Sequence, residues 1–418
     1  MNEKNPHEIE YRHQAFKLFE KGKSVAHILK RIPRSRSWLF KWKERFERGG
    51  WQALDSLPKA PVNSPQEHSE ETIELVLRVR ERLEKSEIGL IGPHEIREEI
   101  KRNRLTESPP SLASIKRWLK QAGYTATVED PTVSAYYPTF QVTDDLAIFS
   151  CDWIARYLTG GEKVFAFHTI NLQTHALAQT LARDKSAPSA FDHLLEAFSV
   201  VGLPDFLQID NDAAFTGLGR SKPVFGRILR LLLYLGIEVI FIPPGEPKRN
   251  GVVERVNGLW ARAFWEKNHF SSFREVQRKS PKFPAWYQNH KPPSLHGMTV
   301  QEASGGQRLT KLRPRQIQQL PEELPLTAGR LHFIRKVDES GEIDILKEHW
   351  RVSRTLAGKY VWATIDLSKK ELLIYGRHSL RAKARPIKQF AYEIKEPVRG
   401  LLPEYKRRAR KVNILQRI

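Results

Sequence analysis

Apolar residues recur at helical spacing in two groups near the start of the chain. The first group has three runs within residues 8–50, broken at Gly22, at "PRS" (33–35) and at Gly49. The second group has three runs between residues 70 and 124, and proline or serine opens the last two. Apolar positions three and four apart line one helix face, while Gly, Pro and Ser mark helix ends. Both groups therefore predict a three-helix module that contains a helix-turn-helix unit.

The pattern changes to short strands at about residue 146. Three β-rich runs, "LAIFSCDWIARYL", "KVFAFHTIN" and "HALAQTLA", predict an antiparallel meander, and helices then alternate with the strands "DFLQID" and "IEVIFI". From residue 329 the runs are short and alternating, with turns at "DESGE" and "SKK". The order predicts an α/β domain followed by a small SH3-like β-barrel.

These patterns divide the chain into segments of different composition, and a Pro-rich stretch at about 54–65 separates the two helical modules. The predicted segments are a helix-turn-helix domain at 1–58, a second one at 66–124, a linker at 125–145, an α/β domain at 146–305, a linker at 306–328, an SH3-like barrel at 329–395 and a basic tail at 396–418.

Charge narrows the class of partner. Lys and Arg total 69 against 48 Asp and Glu, which gives a net charge of +21 and favours a polyanion, with nucleic acid as the leading candidate. No apolar run approaches the roughly 18–20 residues of a membrane span, and the first residues lack the apolar centre of a signal peptide. We therefore expect a cytoplasmic protein without a membrane partner. The single cysteine, Cys151, excludes an internal disulfide framework and a zinc site built on cysteine pairs.

Basic side chains fall on the last helix of each predicted helical module, which in a helix-turn-helix unit enters the major groove. The alternative is that they only solvate a helix face. The candidate DNA contacts are Arg34, Arg36, Ser37, Lys41 and Lys43 in the first module and Lys116 and Arg117 in the second.

Three acids in the α/β domain occur where a strand or helix can present them to one cleft. Asp152 follows "LAIFSC", Asp210 ends "FLQI", and Glu254 lies in the first turn of a helix. Converging carboxylates repel unless a cation binds them, and Mg²⁺ is a hard cation that takes a few carboxylates with water and phosphate oxygens. From position alone, other acids fit equally well: Asp144, Asp145, Asp205 and Asp212.

"LQIDNDAAF" followed by "GIEVIFIPPGEPKRNGVVERVNG" resembles the core of the integrase and transposase superfamily, which has an RNase H-like fold and an Asp-Asp-Glu site. The resemblance selects Asp152, Asp210 and Glu254 as catalytic metal ligands. It also implies that Lys248, Arg249 and Asn250, the last at the helix N-cap, position the phosphate backbone. With the paired helix-turn-helix modules, the chain is similar to a group of insertion-sequence transposases.

The resemblance further implies a reaction and its partners. Two Mg²⁺ ions, replaceable by Mn²⁺, would support cleavage at the 3′ ends of a mobile element and strand transfer into target DNA. The expected partners are double-stranded DNA, namely the element's terminal repeats and the target, and further copies of this chain on that DNA. An accessory ATPase or targeting protein stays open. The alternatives are a non-catalytic DNA-binding regulator or targeting factor derived from a transposase, and a nuclease without strand transfer.

Overall fold

The computed structural model describes residues 8–55, 68–124, 137–138, 146–212, 215, 225–377 and 384–406. The chain forms two compact units, Met1–Glu71 and Thr72–Ile418. Among the described residues, no helix has the length and apolar character needed to cross a membrane.

The first unit is a bundle of three short helices with its own apolar core. Its helices are α1 (Glu8–Glu20), α2 (Val25–Arg31) and α3 (Arg36–Gly49). The side chains of Ser24 and Ser35 accept hydrogen bonds from the first turns of α2 and α3, and Gly50 at φ 59° ends α3. The helix starts and the stop predicted from the sequence are therefore confirmed. The buried core residues are Ala15, Phe16, Ile28, Ile32, Leu39, Trp42 and Leu54.

The second helical module contains α4 (Glu70–Glu84), α5 (Pro93–Arg102) and α6 (Leu112–Gln121). It is joined to the α/β domain within the second unit. The Gly89 amide donates to the Ala263 carbonyl (3.0 Å), and Lys291 pairs with Glu98 (3.0 Å). The sequence predicted the helices but not this attachment, since surface polar residues give no sign of their partners.

The α/β domain is built on a sheet whose first strands form the predicted meander. Strands β1 (Ile148–Tyr157), β2 (Lys163–Asn171) and β3 (Leu177–Ala182) pair antiparallel. Helix α7 (Ala187–Val200), β4 (Phe206–Ile209), α8 (Arg227–Tyr234) and β5 (Glu238–Phe241) follow, with β4 parallel to both β1 and β5.

Helices α9 to α12 follow β5. They are α9 (Gly251–Trp260), which continues into a π-helical turn (Ala261–Trp265), α10 (Phe273–Lys279), α11 (Lys282–Gln288) and α12 (Val300–Gly305). Phe149 and Leu207 on the sheet share an apolar cluster with α7 and α8, whereas Val164 and Ala166 share one with α9 and α11. Helices therefore cover both faces of the sheet, as expected for an α/β domain.

The C-terminal strands extend this sheet. After α13 (Pro314–Gln318) come β6 (Arg330–Lys336), the hairpin of β7 (Glu342–Ile345) and β8 (Glu348–Arg351), then β9 (Tyr360–Asp366), β10 (Glu371–Gly376) and β11 (Arg385–Ala391). Strand β6 pairs in parallel with β5, which gives a nine-stranded sheet of order β11-β10-β9-β6-β5-β4-β1-β2-β3.

This pairing corrects three expectations. The ladder of described strands is open, so the closed SH3-like barrel predicted for 329–395 is not what they form. Period-two alternation identifies strands but not their partners, and β6 pairs with the edge that β5 would otherwise leave open. The predicted linker at 306–328 contributes buried Leu312, Leu324 and Leu326 to the core, and Tyr405 of the predicted tail is buried as well. Residues 407–418 of that tail lie outside the described residues.

Candidate active site

Strand register places Asp152 and Asp210 side by side. In the parallel pairing of β1 with β4, Ser150 lies opposite Gln208, and each acid follows two residues later. Side chains alternate along a strand, so Asp152 shares a sheet face with Ser150, and Asp210 shares it with Gln208. Phe149, Cys151, Leu207 and Ile209 pack on the opposite face. The two acids therefore lie on the α9 face, at the carboxyl end of β4.

Asn250 connects the start of α9 to this pair of strands. It is buried, and its Oδ1 accepts from the Ser150 hydroxyl and from Gln208 Nε2 (3.0 Å), while its Nδ2 donates to the Cys151 carbonyl (3.4 Å). Glu254 follows Asn250 by four residues, which is about one helical turn. Asp152 lies two residues after Ser150, and Asp210 lies two residues after Gln208. The Asn250 contact therefore brings together the three elements that carry Asp152, Asp210 and Glu254.

These contacts correct the role predicted for Asn250. Its side chain makes no capping hydrogen bond to α9, and burial with three protein partners leaves it unavailable to a DNA phosphate. A buried amide needs hydrogen-bond partners for its oxygen and its nitrogen, and Asn250 has them on two strands. Asn250 is therefore a positioning residue of the site.

Asp152 is fixed by a second polar chain. Asn257, one turn after Glu254, donates its Nδ2 to Asp152 Oδ2 (2.9 Å), and its Oδ1 lies 2.7 Å from His168 Nδ1. His168 Nε2 lies 3.2 Å from Gln179 Oε1. Burial lowers the pKa of His168 to about 4, so it is a neutral hydrogen-bonding group. His168 thus orients Asn257.

The carboxylates oppose one another electrostatically. Burial raises the pKa of Asp152 to about 7, with further contributions from the negative charges of Asp210 and Glu254 and an opposing hydrogen bond from Asn257. Burial also raises the pKa of Asp210. A site in which burial and neighbouring negative charge disfavour the ionised form of Asp152 has an electrostatic reason to take up a cation.

The other acids that position alone allowed have different surroundings. Asp205 Oδ2 accepts from the Ala147 amide (2.8 Å), and Asp212 pairs with Lys185 (2.9 Å) while its own amide donates to Asp210 Oδ1 (3.0 Å). Asp144 and Asp145 lie outside the described residues. Asp205 thus supports the start of β1, and Asp212 supports Asp210 directly.

The donor atoms at the site suit a hard divalent cation, because they are carboxylate oxygens. Among the residues that the structure describes, however, no three His, Cys, Asp or Glu side chains form a ready group for a metal ion. Asp152, Asp210 and Glu254 lie in the same site, but their side chains do not form a set of metal ligands.

The exposed face of α3 carries most of the candidate DNA contacts of the first module. Arg36, Ser37 and Lys41 are exposed there beside Phe40, which is itself 43% exposed and lies under the Arg36 guanidinium. Lys43 is half-buried and pairs with Glu47 (3.6 Å). Arg34 has different partners, since its Nε and Nη2 donate to Glu8 Oε2 (3.0 and 2.7 Å). Four of the five predicted residues thus lie on α3, and Arg34 instead ties α1 to the turn.

The remaining predicted contacts also divide into exposed and engaged residues. Lys116 and Arg117 on α6 are exposed, as is Lys248 before α9. Arg249 is half-buried, donates to Glu246 Oε2 (3.0 Å) and lies over the rings of Tyr137 and Tyr360. Of the three residues expected to position phosphate ahead of α9, Lys248 alone presents its charge to solvent.

Sequence similarity supports the integrase-type core. Residues 235–299, which contain Glu254, match the sequence profile described as the integrase core domain. Among solved structures, the chain resembles a simian T-cell lymphotropic virus intasome in complex with PP2A regulatory subunit B56 gamma, at 15% identity over 75% of this chain and 100% of that chain, with a TM-score of 0.33.

Two retroviral integrase catalytic cores resemble this chain to a similarly low degree. The HTLV-2 integrase catalytic core domain in complex with magnesium (trimeric form) is 15% identical over 38% of this chain and 95% of that chain, with a TM-score of 0.28. The catalytic core domain of BIV integrase is 18% identical over 38% of this chain and 93% of that chain, with a TM-score of 0.27. The resemblance of this chain to DDE transposases and integrases is confirmed, and residues 235–299 match the integrase core domain.

Proposed function

We propose that the protein is a DNA transposase that cuts the 3′ ends of a mobile element and joins them to target DNA with Asp152, Asp210 and Glu254. The observation that carries the proposal is the buried contact of Asn250 with Ser150 and Gln208, which joins the start of the helix that carries Glu254 to the two paired strands that lead to Asp152 and Asp210. The integrase core match over residues 235–299 supports the same reaction class.

Two Mg²⁺ ions, or Mn²⁺ in their place, fit the donor chemistry of these acids, and bound ions would activate the attacking oxygen and stabilise the leaving one. Asp152, Asp210 and Glu254 would hold them. Asn257 orients Asp152 through Oδ2, and the Asp212 amide orients Asp210 through Oδ1. Among the described residues these side chains do not form a ready group of ligands, so they would move to bind the ions.

Double-stranded DNA is the partner that the basic surfaces fit. The exposed face of α3, with Arg36, Ser37 and Lys41, would bind the element's terminal repeats as a helix-turn-helix, and Lys116 and Arg117 on α6 would make a second contact. Lys248 lies close to Glu254 in sequence and would bind the phosphate backbone near the site. Two element ends must be held at once, so we propose that several copies of the chain assemble on DNA.

The test follows nicked and joined products from labelled terminal-repeat DNA with Mg²⁺, Mn²⁺ or chelator. Glu254→Gln is compared with Glu196→Gln, an exposed acid on α7. We expect metal-dependent cleavage and joining in the wild type and the Glu196 variant, and DNA binding without either product in the Glu254 variant. Cleavage without joining would favour a nuclease. Binding without products in all three proteins would favour a regulator or targeting factor.

A further inference from the structure

Arg335 on β6 is a buried cation at the junction between the α/β domain and the C-terminal strands. It is 5% exposed, and burial lowers its pKa to about 10. Its Nη2 donates to Asn211 Oδ1 (2.8 Å), its Nη1 to the Ile242 carbonyl (3.1 Å) and its Nε to the Asp344 carbonyl (2.8 Å). One guanidinium therefore joins the loop after β4, the end of β5 and the β7 strand.

The Asn211 contact bears directly on the candidate site. Asn211 follows Asp210. Its Nδ2 donates to the Ile242 carbonyl (2.6 Å), which also accepts from Arg335. Burying a guanidinium is costly unless its donors are satisfied, and here they are satisfied by the backbone and amide oxygens of neighbouring loops. The arrangement fixes the backbone that carries Asp210.

A second C-terminal strand contacts the loop that leads to Glu254. The Tyr360 hydroxyl on β9 donates to Glu246 Oε1 (2.5 Å), and Arg249 donates to Glu246 Oε2 (3.0 Å). The Arg249 guanidinium also lies 5.5 Å from the centre of the Tyr360 ring. Strand β6 thus contacts the loop that follows Asp210, and strand β9 contacts the segment before the helix that carries Glu254.

We propose that Arg335 and Tyr360 are positioning residues of the active site, so that the C-terminal strands are part of the catalytic unit. The inference rests on the proposed function, since it takes Asp210 and Glu254 as metal ligands. Outer residues that orient ligands typically affect metal affinity or activity by about 10- to 100-fold. Loss of the Arg335 contact would free the Asp210 loop and weaken metal binding without altering any ligand.

The experiment measures Mn²⁺ binding to the full chain by electron paramagnetic resonance and, separately, the Mn²⁺ dependence of DNA cleavage. Arg335→Met is compared with Arg330→Met, a half-buried arginine on the same strand that pairs with Glu238 (2.9 Å). We expect Arg335→Met to weaken Mn²⁺ binding about tenfold and to lower kcat with the KM for DNA unchanged. Arg330→Met should retain wild-type metal binding.

Asn211→Ala keeps the inference testable if Arg335→Met does not fold. It removes the amide that accepts from Arg335 and donates to Ile242 while leaving the guanidinium in place. It should weaken Mn²⁺ binding to a similar degree, and Tyr360→Phe should do so to a smaller one. Equal Mn²⁺ affinity in wild type, Arg335→Met and Asn211→Ala would overturn the inference, as would an equal loss in Arg330→Met. If wild type and Asp210→Asn bind Mn²⁺ alike, the proposed function fails first and the inference with it.

Discussion

The acids of the candidate site are supported by two different parts of the molecule. Asp152 is oriented from within the α/β domain, through Asn257 and His168. The loop of Asp210 is held from outside it, by Arg335 of a strand that joins the sheet about 120 residues later. The difference shows that a candidate site in an α/β domain can be supported by a segment whose sequence pattern suggests an independent domain.

The strongest disruption of the site should come from the acids themselves, irrespective of which part of the molecule supports them. Asp152→Asn and Asp210→Asn should each lower the cleavage rate by about a thousandfold, because a bound metal contributes several kcal/mol and each 1.4 kcal/mol is a factor of ten. Single-turnover cleavage of labelled terminal-repeat DNA measures this. A loss confined to one of the two variants would remove the other acid from the site.

The variant Asn257→Ala tests the support that Asp152 receives from within the α/β domain. The variant removes the donor to Asp152 Oδ2 and leaves His168 Nδ1 without its amide partner, so we expect metal affinity to fall about 10- to 100-fold. Titration of Mn²⁺ against the variant and against Asn289→Ala checks this, since Asn289 is an exposed amide at the end of α11. Equal affinities in the two variants would show that Asp152 needs no support from Asn257.

Asp152 should also give the apo protein a characteristic pH dependence. Its pKa is about 7 in the folded chain and about 3.9 in an unfolded one. Between these values the folded state holds a proton that the unfolded state has lost, so stability falls as pH rises from about 4 to about 7, by up to roughly 1.4 kcal/mol per pH unit.

Urea unfolding in chelator at several pH values measures that slope. The slope should become shallower in Asp152→Asn, while Mg²⁺ should restore stability to the wild type above pH 7. A wild-type slope that matches the variant throughout would contradict the buried, mutually repelling acids.

The smallest effect is expected from a substitution that removes neither the Asn257 contact to Asp152 nor the Arg335 contact to Asn211. Lys41→Ala on α3 should weaken binding of terminal-repeat DNA modestly and reduce the magnitude of the salt slope by about one, because a single phosphate contact is lost. Fluorescence anisotropy at several salt concentrations checks this against Lys21→Ala, an exposed lysine in the turn after α1. Identical slopes in the two variants would remove α3 from the DNA interface.

Local pattern was sufficient to predict much of the structure. Serine caps, glycine stops and apolar spacing predicted α1 to α3, and period-two alternation predicted the meander of β1 to β3. These features depend on residues that are neighbours in sequence or on adjacent strands, so the sequence carries the information directly.

Features that depend on distant pairing were not predicted. The sequence suggested an independent barrel for β6 to β11, but nothing in the alternation of "GRLHFIRKV" specifies the edge of β5 as a partner. For the same reason the role of Arg335 could not be predicted, because its burial depends on the pairing of β6 with β5. Asn250 was assigned to the N-cap by its position, whereas its contacts come from β1 and β4.

We propose that Asp152, Asp210 and Glu254 together hold the two catalytic metal ions. Crystals of the full chain with terminal-repeat DNA and Mn²⁺ would locate the ions by their anomalous scattering. We expect anomalous density bounded by these three carboxylates, and none there in crystals of Glu254→Gln. Density at another group of acids, or unchanged density in the variant, would contradict it.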